Sequence, residues 1–369
     1  MLFGLVTPVW SAEILTQKQL SENLDLSKLD KFLESLDDDA QKLLPQLNPT
    51  SWGQTGPKWD WGSLGQKVAS FFLRELIFNL KLAGQLLLLA AALAILQNLQ
   101  HAFETETVSQ LAFGVCFLVV MGLVLNSFRV TFALARETVT EMNNFMCAIA
   151  PILFSLIAAG GSMTTATIVH PLLMSSVGFI GSLINTLVFP LILFGGVLGL
   201  VDHLVEGFNF DKLAGLFKSV ALGLLGLTMA VLIGIITIRG FAASVADTTA
   251  LRTAKYFSNT FLPVVGGVLA DTMEMSANCS LILKSGLGIY GLGVIILIIA
   301  FPLAKILAVV TIYQLTGALI QPLGSRRLAD ALQTVSGTFL SLFGAVAVVG
   351  LMFFIMLAIL IGAVRTGMG

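Results

Sequence analysis

Residues 82–100 read LAGQLLLLAAALAILQNLQ, nineteen positions without a charge. A helix needs about 20 apolar residues to cross ~30 Å of hydrocarbon. The same kind of run returns at 111–128 (LAFGVCFLVVMGLVLNSF), 220–238 (VALGLLGLTMAVLIGIITI) and 339–364 (FLSLFGAVAVVGLMFFIMLAILIGAV). Further runs at 167–189, 191–201, 286–304 and 306–320 are divided by Pro190, Pro302 and Lys305. This pattern predicts an all-α, polytopic integral membrane helix bundle of about seven spans.

Composition agrees. The chain is 56% hydrophobic and 11% charged, with a mean hydropathy of +0.93, whereas soluble domains carry about 25% charged residues. The charge is uneven: residues 1–81 hold 10 Asp/Glu and 8 Lys/Arg, out of 21 and 20 in the whole chain. The front therefore reads as water-facing and the remainder as membrane. Nothing indicates a nucleic-acid surface. Cys116, Cys147 and Cys279 lie far apart in or beside apolar runs. They read as small packed hydrophobes rather than a disulfide framework.

Three regions follow. Residues 1–12 (MLFGLVTPVWSA) resemble the end of a secretory signal, without its basic start, and are read as a signal-peptide remnant. Residues 13–63 are a polar helical segment, extracytoplasmic if that signal is real. There Leu26, Leu29, Leu33 and Leu36 recur at helical spacing. The turn-rich stretch beginning at Pro45 carries Trp52, Trp59 and Trp61. Their place just before the first span suits interfacial anchors, and a docking patch for a partner is the alternative. Residues 64–369 form the membrane domain. Within it the starts at 111, 220 and 339 outline an internal duplication, 111–218 and 219–338, although direct identity between the halves is slight. Positive-inside counting would put Lys67, Arg74, Lys81, Arg129 and Arg136 in the cytoplasm, against the exported front that a signal implies.

Two short runs, 145–159 with Pro151 and 261–283 with FLPVVGG, are too short or too broken to cross alone. They are read as broken or re-entrant elements, which in transporters mark binding sites. Charge at membrane depth costs roughly 2.5 kcal/mol or more, so such groups face protein or water. The candidate pore or interface is therefore Pro263, Gly266, Gly267, Asp271, Glu274, Lys284 and Lys305; the competing reading of 239–284 is an ordinary charged loop. Gly286, Gly288 and Gly291 spell GxGxxG, but no strand precedes them, and close helix packing explains them better, as it does Gly195 and Gly199. His101, His170 and His203 have no metal-ligand spacing, and no P-loop, HExxH or GxSxG occurs. The residues point to no enzyme, cofactor or metal site.

The ordered set LNSF (125–128), VHPLL (169–173), LRTAKYF (251–257), FLPVVGGVLADT (261–272), SLILKSG (280–286), AFPLAKIL (300–307) and IQPLGS (320–325) resembles the stage III sporulation protein AE family of endospore-forming bacteria. The likeness covers about residues 66–369. It implies a protein of the mother-cell (outer forespore) membrane, required for sporulation after engulfment and for late forespore gene expression. The implied partners are the other proteins of the stage III sporulation A operon, including a secretion-type ATPase and ring-forming subunits. Stage II sporulation protein Q in the forespore membrane would be met directly or indirectly, and membrane lipids would surround the spans. The expected role is the permease-like subunit of a mother-cell-to-forespore channel. A non-conducting scaffold for the ring and ATPase subunits and an independent secondary transporter are the alternatives. The family brings no catalytic residues.

Overall fold

A computed structural model describes residues 26–36, 38–45, 57, 59–103, 106–159, 163–203, 210–235, 266–323 and 326–362, with backbone alone over parts of several helices, 266–281 among them. The described residues are helices and their connections. Two short helices, α1 (Ser27–Glu34) and α2 (Asp38–Gln41), precede α3 (Trp61–Phe103) and α4 (Glu106–Ala159). Then come α5 (Met163–Leu183), a π-helical turn (Ile184–Val188) and α6 (Phe189–Asp202), followed by α7 (Asp211–Ile235). The last are α8 (Gly266–Ile320), a 3₁₀ turn (Gln321–Leu323) and α9 (Arg326–Gly362). Six stretches of these helices are long and apolar enough to cross a membrane.

Sequence punctuation proves weaker than helix continuity. The 145–159 run is not a separate short element, because α4 passes unbroken from Glu106 through Pro151 to Ala159. Proline removes one backbone donor and crowds the preceding turn, but helices packed among others re-satisfy the freed groups. The amphipathic stretch 129–144 supplies the continuity, since its apolar face is buried at Ala135, Val139 and Met142. Likewise 286–304 and 306–320 are one helix through Pro302, and the polar residues from Arg326 onward are helical and continuous with the run from 339 in α9. Of the second broken element, residues from Gly266 onward are helical, and 261–265 lie outside the described residues. The proposed signal remnant, and the 239–260 segment needed to judge the duplication, also lie outside them.

The bundle is built around α8, which packs on α9, α4 and α3. Aromatic pairs fix the registers. Phe71 meets Phe301 edge-on at 5.2 Å, and Glu75 faces Lys305 one turn further along both helices; α3 and α8 therefore run parallel. Gly291 lies against Ile149 and Leu357, and Gly350 against Ile299, so α9 is antiparallel to α8. Phe128 of α4 and Tyr313 of α8 both pack on Phe339 of α9, at 4.9 and 5.4 Å. Asp60 starts α3 as its cap, accepting the Ser63 N–H at 3.1 Å in the way a first-turn donor is ordinarily satisfied.

The polar front does not stand free. The predicted leucine stripe is present on α1, but it is spent on the bundle: Leu29 and Leu33 are buried, and Phe32 packs on Phe145 of α4 at 5.4 Å.

Candidate functional site

Close approach to α8 is made possible by its missing side chains. A Cβ at Gly288 would collide with Ile361 of α9, one at Gly291 with Ile149 of α4, and one at Gly293 with the Trp59 indole. Three elements thus grip one helix within two turns. Gly195, Gly196 and Gly199 do the same for α6. There a Cβ would stand 2.9 Å from the Ala214 carbonyl of α7 at Gly195, and 2.8 Å from Thr334 of α9 at Gly199. Both glycine motifs are therefore helix-packing devices, as small residues in membrane bundles commonly are.

The sequence-predicted residues are strung along α8 rather than gathered in one pocket. Pro263 lies outside the described residues. Gly266 and Gly267 open the helix, and Asp271 and Glu274 follow in its first turns, where only backbone is described. Lys284 is 1% exposed, and its Nζ has no hydrogen-bond partner among the described residues. Lys305, about 32 Å further along the helix at 1.5 Å per residue, is 41% exposed and lies 3.9 Å from Glu75. Of the two members of this set whose side chains are described, Lys284 is enclosed, and Lys305 is partly exposed and paired with the largely covered Glu75.

The tryptophans also separate. Trp59 is tucked against α8, 5.9 Å from the Tyr290 ring, with its Nε1 buried and unpartnered among the described residues. Trp61 stacks on it at 5.6 Å and stays half exposed. Trp52 lies outside the described residues. The pair fastens the start of α3 to the middle of α8.

A polar device absent from the sequence reading sits between α4 and α5. The π turn Ile184–Val188 hands the Phe189 N–H to Ile184 O. The next residue, Pro190, has no N–H to give, so Asn185 O lacks a donor from its own helix. Arg136 of α4 supplies one from Nη2 at 3.4 Å. Proline soon after an asparagine, opposite an arginine on a neighbouring amphipathic face, was the available signal. Thirteen residues back from Ile149 on α4 and fourteen on from Gly291 on α8, Arg136 and Lys305 come to one level. With Glu75 they form a polar belt around the middle of the bundle.

Other reactive side chains are structural. His170 lies edge-on to Phe154 at 4.8 Å. His203 Nδ1 is 2.8 Å from Gly199 O, its carbonyl accepts Arg327 Nε at 2.5 Å, and Asp202 accepts the Phe210 N–H. This ties the ends of α6, α7 and α9 together. Cys147 departs from the expectation of a packed thiol: its face of α4 points outward, and it is exposed. The side chains of Cys116 and Cys279 are not among those described. An apolar cleft of about 510 Å³ lies between α5 and α7, lined by Phe179, Leu183, Leu227 and Val231 among others.

Comparison with known proteins gives a consistent picture. A family described as stage III sporulation protein AE matches residues 51–364. A protein of Bacillus subtilis (strain 168) named stage III sporulation protein AE is 34% identical over 358 residues, covering 94% of this chain and 89% of that protein. No solved structure matches.

Proposed function

The chain belongs to the stage III sporulation protein AE family, and on that premise we propose that it is the permease-like membrane core of a mother-cell-to-forespore channel, energised by a separate ATPase and held by ring-forming partners of the same operon. One observation carries this reading. Lys284 is enclosed on the central helix without a partner among the described residues, on the same helix as Asp271 and Glu274. A buried cation without compensation is expensive, and intramembrane ionisable groups tend to mark a path or a contact that uses them. A scaffold that only holds its neighbours has no need of such a group.

The experiment replaces Lys284 by Gln and Gly267 by Leu in the chromosomal gene. Late forespore gene expression is followed with a reporter while membrane accumulation is measured. Loss of the reporter signal at normal accumulation supports the channel core. Normal expression in both variants, with partner proteins still recruited to the membrane, would establish the scaffold instead.

A further inference from the structure

On one side of the π turn α7 is gripped closely: a Cβ at Gly195 of α6 would stand 2.9 Å from the Ala214 carbonyl. On the other side the grip ends, and the cleft of about 510 Å³ opens between α5 and α7. Ile180 and Leu232 are its buried floor, and Phe179, Leu227 and Val231 its exposed rim. None of its lining residues is charged. The hydroxyls in the lining are spent at home. Ser175 and Ser176 donate to Leu172 O at 3.0 and 2.7 Å, and Thr228 donates to Leu224 O at 2.7 Å, the back-bonding that such residues make inside helices.

The surroundings and the shape of the cleft select its occupant. α7 has no ionisable residue from Ser219 to Ile235, and His170 is the one in α5. Both helices lie in stretches long and apolar enough to cross a membrane, so the rim is continuous with surface suited to lipid. Along α7 the lining runs from Leu224 to Ile235, about 16 Å at 1.5 Å per residue. Dividing 510 Å³ by that length leaves a mean cross-section of about 32 Å². A helix with its side chains is about 10–12 Å across, or roughly 80–110 Å² in section, and does not fit. A slender apolar chain does, and an empty gap would forfeit the van der Waals contacts of its walls.

We propose that the cleft between α5 and α7 is a binding site for a phospholipid acyl chain. The chain is held by shape and packing, its headgroup takes no part, and it spaces α7 from α5 where side chains do not.

The test uses the full chain, reconstituted with dioleoyl-phosphatidylcholine that carries a diazirine at the end of one acyl chain. The protein is returned to mild detergent, so that held lipid remains, and is then illuminated. Peptide mass spectrometry should find adducts on Phe179, Leu183, Leu227 and Val231 in about tenfold excess over Leu88 of α3, the ratio that ~1.4 kcal/mol of extra packing gives. Leu88, at 74% exposure, reports ordinary lipid contact. Filling the cleft with the double variant Ser176→Leu, Leu227→Trp should lower the lipid retained in native mass spectrometry by about tenfold, whereas Leu88→Trp should keep it. Dioleoyl-phosphatidylglycerol should be retained as well as the phosphatidylcholine. Adducts spread evenly over α3, α5 and α7 would overturn the proposal. So would their absence from the cleft, the result if a partner's segment or another part of this chain occupies it. Unchanged retention in the filled variant, or a strong preference for one headgroup, would overturn it too. Should the filled variant unfold, the cross-links on the unsubstituted chain decide alone.

Discussion

Replacing Lys284 by Met should make the protein more stable and less active. Lys284 is 1% exposed, and its Nζ meets no hydrogen-bond partner among the described residues. Burying a polar group without a partner costs about 1–3 kcal/mol in protein mutational series. Methionine keeps an unbranched stem of similar reach and discards the ammonium, so the helix contacts of Leu283 and Leu287 need not change. The expected gain is therefore about 1–3 kcal/mol, or several degrees at about 2–4 °C per kcal/mol. Thermal unfolding of the purified chain, followed by tryptophan emission, reads this directly. Sporulation frequency in cells carrying the same variant reads the functional side. A residue kept at a stability cost, for a task, should show opposite signs in the two assays. A lower melting temperature for Lys284→Met would refute the reasoning, because it would mean that the ammonium has a counter-charge whose loss outweighs its desolvation.

Gly195→Ala should destabilise by about 1–3 kcal/mol, since its Cβ would stand 2.9 Å from the Ala214 carbonyl, a backbone atom that moves only if α7 moves. Gly223→Ala, with nothing within 4 Å, should be neutral or stabilising, and comparing the two melting temperatures checks both. Glu75→Gln should cost less than about 1 kcal/mol, because its partner Lys305 is 41% exposed and the pair is long at 3.9 Å. The Ser63 N–H, followed by its hydroxyl, holds the Asp60 carboxyl below its ordinary value. The cap should therefore stabilise the start of α3 fully above about pH 4 and fade as the pH falls below that, through the lowered value. Trp61 emission should follow this change, and Asp60→Asn should abolish it. Cysteines placed at Arg74 and Arg136 should react with water-soluble thiol reagents in bilayers, whereas one at Leu88, 74% exposed in the protein, should be shielded by lipid.

The fold class was legible because apolar runs of membrane length have few other uses. Boundaries were less so. Pro151 and Pro302 looked like breaks, yet both lie inside continuous helices, because tertiary packing outweighs the loss of one donor. Pro190 does leave a mark, a π turn beside it, whose consequence depends on Arg136 across the interface. That pairing requires knowing that α4 and α5 are antiparallel, which the chain order alone does not say. The candidate residues around Lys284 were named for their depth. They were expected to face a pore or an interface; Lys284 is buried in the bundle, whereas Lys305 is partly exposed and faces Glu75. Which face of a helix turns inward is set by its neighbours, not by its own sequence. The glycines of 286–291 were read by elimination as packing positions, and Ile361, Ile149 and Leu357 are what they admit.

The length of the helices constrains how the protein can sit in a bilayer. At 1.5 Å per residue, α4 with 54 residues and α8 with 55 each run about 80 Å, against ~30 Å of hydrocarbon. Straight helices of that length cannot lie wholly in lipid. The polar belt of Glu75, Lys305 and Arg136 falls near the middle, with Arg136 exposed and Lys305 partly so, and charge at the centre of hydrocarbon is disfavoured. Exposed Lys81 and Arg129 lie within about two turns of it, and the candidate spans Trp61–Ala92, Leu118–Ala159 and Ile282–Ile320 all pass through it, so the charged level is a band that the long helices traverse. On one side of it lie the uncharged part of α3 and the first half of α4; on the other lie α1, Trp59 and the glycine-gripped segment of α8. Exposed apolar surface is present on the second side as well, as Phe179 and Leu227 show at 62% exposure each. Apolar area of that kind is stable in water only when covered.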